Sequence, residues 1–151
     1  MNTNLLRTIT PEEIDTYHRD GVLLLQNMFD KDWIELLNKG LDANCKSPTE
    51  RSRIWNKDAL GHTMFYDTLA WREIKEYKNF IFNSPAAQIC GQLMNAKTIN
   101  FFFDAIFVRS SGTKFESPWH QDEPYWSIEG YDACTLSVSY THLTLPTIYS
   151  V

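Results

Sequence analysis

A chain of 151 residues has room for one domain with a real core but not for two comfortable ones. Its 43% hydrophobic and 22% charged residues fit an ordinary soluble protein, and a net charge of -5 speaks against a nucleic-acid binder, which needs a basic face to meet phosphate. The longest apolar runs, Val22–Leu25 and Ile99–Phe103, are too short to span a membrane.

Three widely spaced cysteines (Cys45, Cys90 and Cys134) form neither a CxxC pair nor an even-numbered framework, which argues against a zinc knuckle and for a reducing compartment. The N-terminal stretch is polar and carries no secretory signal, so the expected location is the cytoplasm.

Thr10-Pro11-Glu12-Glu13 predicts a helix start, with Thr10 as cap, Pro11 in the first turn and Glu13 completing a capping box; Gly21 predicts its stop. Val22–Leu25 reads as a buried strand. Asp30 then caps a second helix in which Trp33, Leu36, Leu37, Gly40 and Leu41 recur at helical spacing, and residues 45–53 read as a polar loop. A short strand is expected over Arg53–Asn56 and a helix over Thr68–Phe82 with Trp71, Ile74 and Tyr77 inward. Ser84-Pro85 restarts a helix that ends near Asn95.

From there the composition turns to Phe and β-branched residues. Ile99–Val108 predicts one long strand or two in tandem, Ser110-Ser111-Gly112 a turn, and Phe115–Asp122 another extended segment. Helices first and sheet later is an α+β arrangement.

The informative stretch is Ser117-Pro118-Trp119-His120-Gln121-Asp122-Glu123-Pro124-Tyr125-Trp126. In an extended strand, residues two apart share a face, so His120 and Asp122 would present an imidazole nitrogen and a carboxylate oxygen side by side. That is two-thirds of the 2-His-1-carboxylate triad, which holds iron(II) and leaves positions open for chemistry. An isolated HxD also arises by chance on surface strands, so the pair gains its meaning from its surroundings. His18 and His62 have no partner at ligand spacing and read as surface or loop residues.

The WHQDEPYW run, the aromatic strand Phe101–Arg109 ahead of it, the Ser-Gly turn, Gly21-Val22 and the Gly130–Leu136 segment together resemble the phytanoyl-CoA dioxygenase family. The resemblance implies a double-stranded β-helix (jelly-roll) core with N-terminal flanking helices. It further implies His120 and Asp122 as metal ligands and catalytic residues, Fe(II) and 2-oxoglutarate as cofactors, and dioxygen with a small-molecule substrate as reaction partners. Family halogenases replace the ligand carboxylate with a small residue; Asp122 keeps it, which favours hydroxylation.

Three further positions are carried over as cofactor-binding candidates. Arg109 stands where the family tends to have a basic residue ahead of the metal strand, and could attract an anionic cosubstrate or be a solvated strand end. Gln121, by alternation, faces away from the ligands and supports the sheet. Trp126, with Tyr125, could wall the pocket or pack at the sheet edge. Cys134 is expected on a core strand as a small hydrophobe.

The family's second histidine and the arginine that pairs with 2-oxoglutarate are not identifiable; no arginine follows Arg109, and the only later histidine is His142. That histidine lies in Ser137–Val151, which holds none of the chain's 14 basic and 19 acidic residues. Val138–Thr147 matches one reading frame of a common transposon-end sequencing adapter. The expectation is therefore an oxygenase portion over residues 1–136, lacking the C-terminal half of its barrel, followed by a non-native tail over 137–151. Such a polypeptide would carry half a site and unpaired sheet edges, and would be inactive and poorly folded. Two other readings remain open: a non-catalytic cupin-like jelly-roll binding module, and a small interaction domain indifferent to metal.

Overall fold

A computed structural model of the chain describes residues 1–55, 57, 59–112, 117–130 and 132–139. Its elements run α1 (Pro11–Asp20), α2 (Lys31–Lys46), β1 (Arg53–Trp55), β2 (Met64–Thr68), a 3-10 turn at Ala70–Arg72, α3 (Lys75–Asn83), α4 (Ala86–Leu93), β3 (Ala105–Arg109) and a 3-10 turn at Glu123–Tyr125. The three strands form one antiparallel sheet in the order β1-β2-β3, so the described residues have an α+β architecture. No helix among them is long and apolar enough to cross a membrane.

The helix signals in the sequence act locally and as expected. Thr10 Oγ1 accepts from Glu13 N at 3.2 Å while Glu13 Oε2 accepts from Thr10 N at 2.9 Å, the reciprocal box that satisfies two otherwise orphaned donors. Arg7 clamps the same Glu13 through two bonds of 2.7 and 2.8 Å, and this guanidinium, reinforced by Thr10 N, holds the Glu13 carboxyl down at about 2. Gly21 ends α1 at φ 71°, a left-handed cap that glycine adopts without strain. Asp30 caps α2 by accepting from Trp33 N at 3.2 Å.

Helix α2 continues to Lys46, past the point where a polar loop was expected, and its inner face is Trp33, Leu37, Gly40 and Asn44. Trp33, Leu37, Ala70, Tyr77 and Phe80 make the main core between α2 and α3. A second cluster, Ile9, Met28, Ile89 and Leu93, packs α4 against the N-terminal segment. Gly40 is the contact point of α2 with α3, because a Cβ there would stand 2.8 Å from Tyr77 Cε1 and 3.0 Å from Glu76 Cβ.

The sheet has two unlike faces. Alternation and register put Phe65, Asp67, Ile106 and Val108 on one side and Tyr66, Phe107 and Arg109 on the other. Ile106 rests on the α2–α3 core, so the first side faces the helices. Asp67 lies fully buried there and accepts from Asn44 Nδ2 (2.8 Å), Thr49 N (3.0 Å), Thr49 Oγ1 (2.6 Å) and Thr68 N (2.9 Å). Burial alone would raise its affinity for a proton, but these donors outweigh it and the carboxyl sits below its ordinary value. On the opposite side Tyr66 stacks on Trp55 at 4.9 Å and meets Phe107 at 4.8 Å, giving a row of rings across all three strands.

Several expected elements differ. Val22–Leu25 is not a strand: Leu23 and Leu25 turn inward while Val22 and Leu24 are 71% and 75% exposed. The alternation of a strand is present, but among the described residues no neighbour pairs with it. The helix predicted over Thr68–Phe82 begins only at Lys75, because Met64–Thr68 is the central strand and Leu69, at φ 55°, turns the chain before any helix can start. The long strand predicted over Ile99–Val108 shortens to Ala105–Arg109, since Asp104 bonds sideways to that turn, its carboxylate taking Trp71 N (2.9 Å) and its carbonyl Leu69 N (3.2 Å). Neither residues 117–122 nor 132–136 form a strand. The turn at Ser111-Gly112 is present, with Gly112 at φ 84°.

Two outcomes follow from the packing. Asp67→Ala strands the buried donors of Asn44 and Thr49, and should cost about 3 kcal/mol or more in urea denaturation at pH 7. Because the folded carboxyl is depressed, its contribution is complete above the unfolded value near ~3.9 and is lost as pH falls through the folded one, so the gap to wild type should narrow in acid. Gly40→Ala gains up to about 1 kcal/mol of helix propensity but overpacks Tyr77 and Glu76 by about 1–3 kcal/mol. A net loss of stability is expected; a rise in Tm would show that α3 shifts freely.

Candidate metal site

The motif segment is reached from β3. Arg109 ends that strand on the face away from the helices, and its Nη2 donates to Ser117 Oγ at 2.7 Å. That bond ties the start of the motif back to the sheet. Beyond it, Pro118 O lies 2.7 Å from His120 Nδ1. A carbonyl can only accept, so Nδ1 donates in this contact and Nε2 is the ring nitrogen turned toward Asp122. This backbone contact is the kind of outer-shell bond that orients a metal-ligating histidine.

His120 Nε2 in turn faces Asp122 Oδ1 at 3.3 Å, with both side chains about half exposed. Strand alternation is not what brings the two side chains together. Asp122 has helical backbone angles (φ -75°, ψ -37°) and leads into the Glu123–Tyr125 turn, so the two groups meet across a bend. Proline at 118 and at 124 removes two N–H donors that a ladder would need, which is the local reason a strand does not form.

The pair fits a metal ion on geometric grounds. Two ligands at right angles with bonds of about 2.1 Å stand about 3.0 Å apart, close to the observed spacing. Among the described residues no group of three His, Cys, Asp or Glu side chains converges, so there His120 and Asp122 have no third such side chain beside them.

Around the pair, Ser117, Pro118, Trp119 and His120 line an open hollow of about 330 Å³. Trp126 lines a smaller hollow of about 170 Å³ with Glu123, Ile128, Gly130 and Ala133. Its ring packs edge-on against Phe102 and Phe103, both at 6.3 Å. Trp126 is therefore half-buried in an aromatic cluster, next to the motif rather than over the His120–Asp122 pair. Gln121 is exposed; because residues 117–122 are not a strand, alternation does not assign it a sheet-supporting face. Tyr125 is 80% exposed, Trp119 90%. His142 lies outside the described residues.

One neighbour escaped the sequence reading. Burial, and then the charges of Asp122 and Asp67, push the Tyr66 hydroxyl above its ordinary value, so the central strand's outward ring lies within electrostatic reach of Asp122. The signal was the Met64-Phe65-Tyr66-Asp67-Thr68 run, rich in strand-forming types but absorbed into the expectation of a following helix.

A family model described as phytanoyl-CoA dioxygenase (PhyH) matches residues 17–145. The chain belongs to the phytanoyl-CoA dioxygenase family. No curated protein and no solved structure matches it significantly. The phytanoyl-CoA dioxygenase family is one of 2-oxoglutarate-dependent oxygenases, and the match includes both the HxD pair and the sheet that supports it.

The tie between Arg109 and Ser117 lends itself to a direct check. Ser117→Ala should leave global stability within about 0.5 kcal/mol, as for most exposed changes, while loosening the motif and weakening Mn(II) binding several-fold. Unchanged affinity in a calorimetric titration would show that the motif holds itself.

Proposed function

We propose that this chain is part of an Fe(II)- and 2-oxoglutarate-dependent dioxygenase that hydroxylates a C–H bond of a small molecule. The observation that carries the proposal is the His120–Asp122 pair: one imidazole oriented by Pro118 O, one carboxylate 3.3 Å from it, in a member of this oxygenase family. Iron(II) with 2-oxoglutarate and dioxygen supplies oxidative decarboxylation, in which one oxygen atom enters the substrate as hydroxyl and the other enters succinate as carbon dioxide leaves. His120 and Asp122 would hold the metal on adjacent positions and leave its remaining positions open. A carboxylate at 122 occupies the position that a halide needs, so hydroxylation is favoured over halogenation.

In this reading the three strands are part of a jelly roll whose interior is the Tyr66–Phe107 face. Trp126 lines the neighbouring hollow beside the motif, and Arg109, by holding Ser117, draws the motif toward that face while adding positive charge for an anionic cosubstrate. The third ligand and the arginine for the distal carboxylate of 2-oxoglutarate would come from sequence that replaces residues 137–151, which we propose to be a non-native tail. Reading the source DNA past the codon for Leu136 tests this: a distal His followed by Arg is expected, and genomic DNA that continues through Val151 at good depth would sink the tail proposal.

Metal binding is tested without activity. Mn(II) titration of the 151-residue chain, followed by its paramagnetic signal, should show one weak site that His120→Ala and Asp122→Ala each weaken by about tenfold or more. Equal affinity in both variants would remove these residues from the site. Succinate release dependent on 2-oxoglutarate is expected from the longer parent and not from these 151 residues; robust turnover by the latter would overturn the two-donor assignment.

A further inference from the structure

Three aromatic rings and two arginines share the face of the sheet that is turned away from the helices. Register puts Arg53, Tyr66 and Phe107 in one row and Trp55, Met64 and Arg109 in the next, with Thr68 and Ala105 completing the face. Tyr66 stacks on Trp55 at 4.9 Å with the rings 17° from parallel, and it meets Phe107 at 4.8 Å. Yet Trp55 is 41% and Phe107 58% exposed. No carboxylate stands among these eight residues. Asp67 lies buried on the inner face, and Asp122, within electrostatic reach of Tyr66, belongs to the metal motif.

The two arginines stand at opposite ends of this face. Strands β1 and β3 both run antiparallel to β2, and Arg53 opens β1 whereas Arg109 closes β3. Arg109 is engaged with Ser117, which itself lines the open hollow beside His120, so the Arg109 end of the face borders that hollow. Arg53 is exposed, and its Nη1 donates to Glu50 O at 3.3 Å and Ser52 O at 2.7 Å. Those carbonyls hold the guanidinium without neutralising it, and among the described residues no carboxylate pairs with it.

We propose that this face binds the oxygenase substrate, and that the substrate is a flat aromatic acid whose carboxylate meets Arg53 while its ring packs on Tyr66 and Phe107. Calling the ligand a substrate rests on the dioxygenase reading; the binding stands on the face alone. A guanidinium recognises a carboxylate with two parallel N–H donors, and Nε with Nη2 of Arg53 supplies that fork while Nη1 stays on its carbonyls. Aromatic pairs in edge-to-face or offset contact gain about two- to tenfold in affinity beyond the area they bury. An aliphatic acid would satisfy Arg53 but not the rings, and a neutral arene the rings but not Arg53. With its carboxylate on β1 and its ring across the strands, the ligand extends toward β3, whose last residue borders the hollow of the metal motif.

The test titrates 2-naphthoate into the metal-free 151-residue chain by calorimetry, beside its saturated analogue decahydro-2-naphthoate and its neutral analogue 2-naphthylmethanol. 2-Naphthoate should bind one-to-one and about tenfold more tightly than either analogue. Arg53→Gln should bring it down to the affinity of the alcohol, and Phe107→Leu toward that of the saturated acid. The three ligands on the wild-type chain decide even where a variant folds poorly. Equal affinity for all three, saturation by none, or an advantage over the alcohol that persists in Arg53→Gln would overturn the proposal. So would a concentration-dependent dimer that excludes 2-naphthoate, which gives the face to a second copy of the chain. Naphthoate binding by a chain that takes up no Mn(II) would uphold the face and remove the dioxygenase reading, whereas Mn(II) uptake without naphthoate binding would do the reverse.

Discussion

The buried carboxylate of Asp67 accepts four hydrogen bonds, from Asn44 on α2, twice from Thr49 in the connection that follows, and from Thr68 on its own strand. Removing a charge from water costs several kcal/mol, and each bond to a charged acceptor returns about 1.5–3 kcal/mol, so a carboxylate is stable here only because all four donors converge. The convergence fixes three things at once: how α2 lies on the sheet, where the 47–52 connection turns, and which side of β2 faces inward. With Asp67 inward, strand geometry turns Tyr66 outward, toward Phe107 and the metal motif. The candidate site thus sits on the outer face of a sheet whose orientation is set by an acid on its inner face.

Residues 99–104 do a different job from the one their composition suggests. They are a bridge of aromatic side chains rather than a strand. Phe101 packs edge-on against Trp71 at 5.7 Å and Phe82 at 6.1 Å on the helical side. Phe102 and Phe103 turn to Trp126 at the far end of the motif. Asp104 then closes the bridge by accepting from Trp71 N, and burial raises its affinity for a proton above that of an ordinary carboxyl. Asp67 and Asp104 are thereby a contrasting pair. Four donors outweigh burial at the first, whereas at the second Oδ1 is buried without a hydrogen-bond partner and burial prevails.

The metal motif gains its order from backbone chemistry more than from packing. His120 and Asp122 are half exposed, and few buried contacts hold their segment. What directs them is the Pro118 carbonyl on the imidazole and the Arg109 guanidinium on Ser117. The segment is thus oriented yet open to solvent.

By itself the sequence determined what depends on neighbours along the chain. The Thr10 box, the Gly21 stop, the Asp30 cap and the inward stripe of α2 are all satisfied by residues within a turn of each other, so their signals are local and readable. The closeness of His120 and Asp122 was legible as a local pattern, although it arises across a bend and not from the strand alternation expected for it. Only the tertiary structure decided the rest. Val22–Leu25 alternates like a strand but has no partner to pair with among the described residues, and Met64–Thr68 became the central strand because β1 and β3 flank it on both sides. Tyr66 against Phe107, Asp67 bonded to Asn44 beneath α2, and Asp104 bonded to Trp71 N are contacts between distant segments. No local pattern encodes them, because each forms only when the helices and the sheet have closed on one another.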